Sequence, residues 1–253
     1  MICGIFHGGS GLGNQLHRYV ATRVLALDKG YEWGMCNPEL FKGSSFMNID
    51  MGIWLHSLEN NLLKNSFKHV FFEKKILEDG VDIRCYDPEI NFIEDGTIID
   101  GEFQDERYFE HRLDEIKEWL KVEPLDMPDD LCVIGFRGGE YTLFPELFLT
   151  REYWEQAIEM IKKINPKMRF EVHTDDEETA IKFFPEFKCT HDIGLNWRSI
   201  RYAKYLIIAN SSFYIFPSLL GDAKKIIAPR YWARRNIEKW ALPQNYYKRF
   251  SYL

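Results

Sequence analysis

No stretch of the 253-residue chain approaches the roughly 20 consecutive apolar residues that cross a bilayer, so a membrane-spanning helix is not expected. Basic charge is also short. Lys and Arg number 32 against 39 Asp and Glu, a formal net charge of -7, whereas a general nucleic-acid binder carries a basic excess. Cysteine is sparse and irregular. Cys3, Cys36, Cys85, Cys132 and Cys189 are odd in number, scattered and never spaced C-x-x-C, so they read as reduced thiols of a cytoplasmic chain, most of them in the core. The histidines do not pair with them at ligand spacing, which argues against a structural zinc. Met1 to His7 lacks a basic region and a long apolar region, so a signal peptide is not expected and the chain reads as soluble. Internal repeats and low-complexity segments are absent.

What is present is an ordinary globular composition, 45% apolar and 28% charged, long enough for one large core or two modest ones. Aromatic residues reach 15%. That share fits either a cleft that stacks sugars or bases, or simply a large core. Charge is unevenly spread. Glu73 to Asp130 holds 20 acidic and 7 basic residues, while Lys224 to Leu253 holds 8 basic and 1 acidic. These are two solvated faces, or two surfaces that meet different things. Pro124 to Asp130, with two prolines and three acids, reads as a linker. It divides the chain into an N-terminal domain, 1–125, and a C-terminal domain, 126–253.

The N-terminal half opens with a strand over Ile2 to Phe6, a glycine loop, and a helix whose Leu16, Tyr19, Val20, Val24 and Leu27 share one face. Tyr31 to Cys36 reads as the next strand, and Glu106 to Leu120 as a helix. Between Asn37 and Asp100 the signal is weak. The C-terminal half alternates clearly. Strands are expected at Leu131–Phe136, Met168–His173, Tyr205–Ala209 and Lys225–Ala228. Helices are expected at 151–164 (capped by Thr150), Asp176–Phe184, Trp197–Ala203 and Ser212–Leu220. This alternation implies α/β architecture with a parallel, helix-covered sheet, in which ligands sit beyond the carboxyl ends of the strands.

Four loops follow strands. HGGSGLGNQ, His7 to Gln15, reads equally as a tight turn or as a site where backbone N–H groups and a helix N-terminus meet a phosphate or sugar hydroxyl. It is not a Walker A loop, because Asn14 and Gln15 stand where Lys and Ser/Thr are needed. GFRGGEY, Gly135 to Tyr141, places Arg137 at a strand end, where its fork suits a diphosphate; the alternative is a surface turn with an ion pair. Glu140 is a candidate base, or it orients Arg137. In HTDD, His173 to Asp176, one aspartate caps the next helix; a carboxylate for a guanine edge and a D-x-D-like metal site are the other readings. NSSF, Asn210 to Phe213, offers hydroxyls and N–H groups to an anion. It also matches the N-glycosylation triplet, which is discounted for a strand-abutting site in a chain with no secretory route. Together the four loops describe a cleft for a phosphate-bearing ligand.

GLGNQ resembles the G-x-L/F-G-N-Q opening of the α1,2-fucosyltransferases, glycosyltransferase family 11. GEFQDERYF (Gly101 to Phe109) resembles that family's G-Y-F-Q-S-E-K-Y-F segment, and VIGFRGGEY its H-x-R-R-G-D-Y motif. VHTDD resembles F-S-D-D, LIIANSSFYIF resembles I-I-A-N-S-S-F-S-W-W, and IIAPRYW (Ile226 to Trp232) parallels I-A-P-x-x-W. The order and spacing agree over about residues 4 to 232, most weakly between Glu39 and Asp95. The resemblance implies a GT-B-like fold, two Rossmann-like domains facing a cleft, with a trimmed N-terminal half. It implies an inverting, metal-independent transfer of fucose from GDP-fucose to a glycan hydroxyl, with no cofactor. It assigns Arg137 to the β-phosphate and Asp175 or Asp176 to the nucleoside. Asn210, Ser211, Ser212 and Phe213 fall in the diphosphate and base pocket, and Gly11, Gly13, Asn14 and Gln15 toward the sugar or its phosphate. Arg137, Glu140 and Asn14 are the catalytic candidates, and His17 and Glu102 are further candidates for the base.

Three positions of the arginine motif depart from the family: its His is Gly135, its second Arg is Gly138 and its Asp is Glu140. The aromatic pair after S-S-F is Tyr214-Ile215-Phe216 here, which alters the expected pocket wall. Losing the second arginine weakens the grip on the donor unless Arg230, Arg234 or Arg235 of the basic tail replaces it. A different nucleotide-sugar donor, and a non-catalytic glycan or nucleotide-binding module, therefore stay open beside the fucosyltransferase reading.

Overall fold

The structure is a computed structural model that describes residues 1–55, 67–78, 81–84, 86–231, 233–235, 239–241 and 247–253, with 75–78, 81–84, 233–235 and 239–241 as backbone. The chain divides into two compact units, Met1–Lys121 and Val122–Leu253. The Pro124–Asp130 stretch lies at the start of the second.

In the first unit, strands β1 (Ile2–Ile5), β2 (Trp33–Cys36), β3 (Ile53–Leu55), β4 (His69–Phe72) and β7 (Thr97–Asp100) form one parallel sheet in the order β3-β2-β1-β7-β4. A separate antiparallel pair joins β5 (Lys75–Glu78) and β6 (Val81–Arg84). The helix Leu12–Lys29 packs on β1 and β2. Leu16, Tyr19, Val20 and Val24 are buried as the 3.6-residue period requires, while Leu27, in the last turn, is 40% exposed. The expected long helix from Glu106 is shorter. Two 3-10 turns, Glu106–Tyr108 and Glu110–Arg112, precede a helix over Leu113–Trp119, because Asp105 caps a tight turn through Arg107 N–H and Phe109 sits at φ -146, outside the helical region. β7, an inner strand beside the central β1, falls in the stretch whose sequence signal is weak.

In the second unit, β8 (Leu131–Phe136), β9 (Arg169–Thr174), β10 (Lys188–Thr190), β11 (Tyr205–Ile208), β12 (Lys225–Ala228) and β15 (Ser251–Tyr252) form a six-stranded parallel sheet ordered β10-β9-β8-β11-β12-β15. Counted along the chain this is 3-2-1-4-5-6, the order of the doubly wound nucleotide-binding sheet. β13 (Ala233–Arg235) and β14 (Lys239–Ala241) make a small antiparallel pair. All six residues of β8 are buried, as expected for a central strand covered on both faces. The helix Arg151–Ile164 buries Trp154, Ala157, Ile158 and Ile161, the expected stripe. Thr150 occupies its N-cap position, but its hydroxyl makes no capping bond. Phe136, Trp154, Phe183 and Phe184 form an aromatic cluster under β8, so part of the 15% aromatic share is core.

Among the described residues no helix is long and apolar enough to cross a membrane. Cys3, Cys36, Cys132 and Cys189 are free thiols, the first three buried, and Cys85 lies outside the described residues. Cys3 and Cys36, distant in sequence, approach to 3.2 Å between sulfurs on neighbouring strands.

Candidate functional site

Where the strand order of a parallel sheet reverses, the loops after the two flanking strands diverge and leave a crevice beyond their carboxyl ends. In the second unit that point lies between β8 and β11. The loop after β8 carries Arg137 and Glu140, and the loop after β11 carries Asn210 to Phe213. The next strand, β9, delivers Asp175 and Asp176. Three of the four loops singled out from the sequence therefore surround one switch point.

Arg137 is the hub. Its Nη1 donates to Asp175 Oδ2, and its Nη2 donates to Glu140 Oε1 at 2.9 Å. The guanidinium lies over the Tyr141 ring, 4.9 Å from its centroid. Its Nε–H is buried without a hydrogen-bond partner. A buried unpaired donor on a charged group is costly and marks a place where an anion is welcome.

Asp175 Oδ1 also accepts the Gly138 N–H at 2.9 Å. Asp176 caps the helix Glu177–Phe183 through Thr179 N–H at 3.0 Å, and its Oδ2 accepts the Gly139 N–H at 3.0 Å and the Thr179 hydroxyl at 2.6 Å. Burial opposes the charge of Asp176, but the bonds from Thr179 and Gly139 outweigh it and hold this carboxyl below its ordinary value. The alternation rule that would point adjacent aspartates apart does not apply, because β9 ends at Thr174 and both carboxylates lie past it. Both are fastened to the Arg137 loop. Glu140 forms the ion pair foreseen as one reading of that loop.

Gly135 and Gly138, where the resembled motif carries His and Arg, have their side-chain space filled from elsewhere. A Cβ at Gly135 would lie 2.7 Å from the Tyr214 ring, and one at Gly138 would lie 2.7 Å from Asp176 Cβ. Tyr214 uses the space beside Gly135 to donate its hydroxyl to Phe136 O at 2.8 Å. Tyr141 donates to Asn210 O at 3.4 Å, joining the loops after β8 and β11. Tyr214 falls in the Tyr214-Ile215-Phe216 stretch that departs from the resembled motif's aromatic pair, whereas Tyr141 carries no signal of its own in the sequence.

Asn210 is buried and donates Nδ2–H to Leu147 O at 2.9 Å. Ser211 is buried, and Ser212 and Phe213 are half-buried. The expected helix from Ser212 begins as a 3-10 turn, Ser212–Tyr214, and continues over Ile215–Leu220. Phe213 meets Trp197 edge-on, ring centroids 5.9 Å apart.

In the first unit, Gly11 occupies the N-cap position of the helix Leu12–Lys29, and Gly13 is buried in its first turn. Asn14 Oδ1 accepts from Gln104 Nε2 at 3.1 Å. Gln15, expected to reach a ligand, is 1% exposed. Its Nε2 donates to Leu40 O at 2.7 Å and its Oε1 accepts Lys42 N–H at 2.9 Å, so here it fastens the 40–42 segment to the helix. Gln15→Ala is expected to cost about 1–3 kcal/mol of stability in chemical denaturation.

His17, weighed as a base, is fully buried beside Phe109, and its Nδ1 meets Gly13 O at 2.8 Å. Burial lowers its pKa to about 4, against the opposing pull of that bond. The imidazole is thus neutral in the folded chain and protonates more readily when unfolded. Its contribution is present above about pH 6.5 and is lost as pH falls toward 4. Between pH 7 and pH 5 the loss is about 2 kcal/mol, and His17→Gln is expected to flatten that part of the stability–pH curve. Glu102 Oε1 receives Arg18 Nη2 at 2.7 Å.

Of the basic tail, Arg249 donates to the carbonyls of Ser218, Leu219 and Ala223, closing the end of the helix Ile215–Leu220. Arg230 stacks on Tyr231. Trp232 and the side chains of Arg234 and Arg235, proposed above as replacement cations, lie outside the described residues.

The fold matches solved glycosyltransferases. The E. coli heptosyltransferase WaaC with ADP superposes with a TM-score of 0.50 at 12% identity, covering 100% of this chain and 92% of that one. A family 9 glycosyl transferase from Veillonella parvula gives 0.51 at 10% identity, covering 100% and 85%. The NodZ α-1,6-fucosyltransferase from Bradyrhizobium soaked with GDP-fucose gives 0.45 at 13% identity, covering 89% and 93%. The heptosyltransferase and family 9 likenesses establish a GT-B-like α/β fold with two parallel sheets. No protein-family model matches the chain, and the search of curated proteins found no match.

Proposed function

We propose that the chain is an inverting, metal-independent glycosyltransferase of the α1,2-fucosyltransferase type, transferring fucose from GDP-fucose to a glycan hydroxyl. The observation that carries this reading is Arg137, at the switch point of a 3-2-1-4-5-6 sheet with its Nε–H buried and unpaired. The ordered sequence motifs and the glycosyltransferase fold support it.

In this reading the second unit holds the donor. Cleaving the sugar–phosphate bond leaves negative charge on the diphosphate, and a preorganised guanidinium stabilises that charge as it develops. Arg137 turns from Asp175 and Glu140 toward the phosphates. Asp175 and Asp176 keep the Gly138–Gly139 turn in place, beside the nucleoside, and Asn210, Ser211, Ser212 and Phe213 line the diphosphate and base pocket. The chemistry calls for no cofactor. Glu140 is a poorer base than the motif suggests, since it is spent on Arg137.

One observation favours a second donor. The position of the family's second arginine is closed by Asp176, so the donor contacts differ from the family's. The heptosyltransferase of like fold is recorded with ADP, which makes ADP-sugars the first alternative. The test is incubation with GDP-fucose, other GDP-sugars, ADP-, UDP- and dTDP-sugars and a glycan panel. Turnover of GDP-fucose is expected. Turnover confined to another nucleotide moves the donor, and binding without turnover makes the chain a nucleotide-binding module.

A further inference from the structure

The second unit carries a cleft along the edge of its sheet, at β9 and β10, and none of the residues lining it belongs to the loops around Arg137. Apolar walls come from Leu125 and Met127 of the linker and from Leu195 of the helix Ile193–Tyr202. Glu171 and His173 of β9 and Lys188 of β10 add polar groups. The volume is about 750 Å³, within the roughly 300–1,000 Å³ of small-molecule sites.

His173 is the group that the fold leaves unfinished. Its Nδ1 lies 2.9 Å from Asn196 Oδ1, and Asn196 Nδ2 donates to Thr174 O at 2.9 Å. A backbone carbonyl only accepts, which sets the amide nitrogen against Thr174 and the amide oxygen against the imidazole. Nδ1 therefore carries the proton. Burial pushes this histidine below its ordinary value, so the ring is neutral and Nε2 is an acceptor. Nε2 is buried, and no described residue donates to it. A buried acceptor without a donor is costly, which favours any ligand that supplies one. His173 is 2% exposed, so a donor reaches Nε2 through the cleft that the residue lines.

Charge narrows the ligand. Lys162, Arg169 and Lys188 line the cleft together with Asp126, Glu171 and Glu186, so the signs balance and no net field draws a phosphate. The three cations already pair with Glu159, Asp130 and Glu171. The fitting occupant is neutral, apolar on one face, and bears groups that both donate and accept. A hydroxyl does both: it donates to Nε2 and accepts from an exposed ammonium such as that of Lys188. We propose that this cleft is a saccharide-binding site, in which His173 Nε2 accepts a sugar hydroxyl while the C–H face of the ring packs on Leu125, Met127 and Leu195. The site lies within the second unit and involves no nucleotide, so it stands or falls apart from the donor reading.

The experiment follows the histidine ring nitrogens by NMR in the full chain labelled with ¹⁵N-histidine. L-Fucose, D-galactose, N-acetyl-D-glucosamine and lactose are titrated in, with glycerol as control. At least one sugar is expected to shift the His173 Nε2 resonance saturably, with a dissociation constant of about 10 mM or tighter. His173→Phe is expected to weaken that binding about tenfold or more. Because this variant also strips Asn196 of its partner, Leu195→Trp is the second probe. It fills the cleft from a half-buried position, and is expected to weaken binding about tenfold or more with the denaturation midpoint little changed. No shift with any of the four sugars overturns the site. So does a shift that survives Leu195→Trp, which places the sugar elsewhere, or one that glycerol reproduces, which shows binding of any polyol.

Discussion

Replacing Arg137 with alanine is expected to lower kcat/KM for the donor about 10²–10³-fold and to leave the fold intact. The magnitude is that of removing one preorganised charged donor from a developing oxyanion. Two further effects act in the same direction. Asp175 and Glu140 lose their counter-ion and would repel the diphosphate of the proposed donor. The Tyr141 ring loses the cation stacked on it. Stability changes little, because the ion pair is partly exposed, 26% for Arg137 and 31% for Asp175, and such pairs contribute about 0–1 kcal/mol. Arg137→Lys is expected to recover only part of the activity, since an ammonium lacks the planar fork. Steady-state kinetics beside a denaturation curve check both halves. An Arg137→Ala enzyme with full activity would remove the donor site from the loop after β8.

Placing an arginine at Gly138, where the resembled motif carries one, is expected to lose stability and to weaken the proposed nucleotide binding. The new Cβ would sit 2.7 Å from Asp176 Cβ and 2.9 Å from its Oδ2. Asp176 cannot yield freely, because it caps the helix Glu177–Phe183 and holds the Gly139 N–H. Overpacking of this kind costs about 1–3 kcal/mol, and a lost N-cap about 1 kcal/mol more. Gly139 sits at φ +46, so the turn has little room to absorb the shift. Adding Asp176→Gly removes the obstructing Cβ. The double variant is then expected to be more stable than the sum of the single losses predicts. Denaturation of the three variants measures this. A stable Gly138→Arg with tighter GDP binding would show that the position is an ordinary arginine site and that Asp176 does not close it.

The second half was legible because its strands are short apolar runs separated by amphipathic helices. The observed β8 and β12 match the expected ranges, β9 is shifted by one residue at both ends, and β11 is one residue shorter. A central parallel strand buried on both faces leaves a continuous apolar run, and Leu131 to Phe136 is one. The first half was harder. Only Ile98 and Ile99 of β7 read as apolar core, in a four-residue strand among turns and acidic residues. Its last residue, Asp100, therefore looked like one more member of an acidic stretch, and its pairing with His7 could not be inferred from spacing. The same holds for Asp175 and Arg137, whose contact depends on β8 and β9 being neighbours. Gln15 shows the opposite limit. Its place in a motif suggested a ligand, and the fold spends it on Leu40 and Lys42.

Titrating GDP into the wild-type chain and Arg137→Ala by calorimetry, with ADP, UDP and dTDP as controls, tests most directly whether the switch point of the second unit binds a nucleoside diphosphate. GDP is expected to bind the wild type more tightly than the other three, and Arg137→Ala to weaken it at least about tenfold, the equivalent of one charge-assisted hydrogen bond. Equal GDP affinity in the two proteins, or no binding to the wild type, would contradict it.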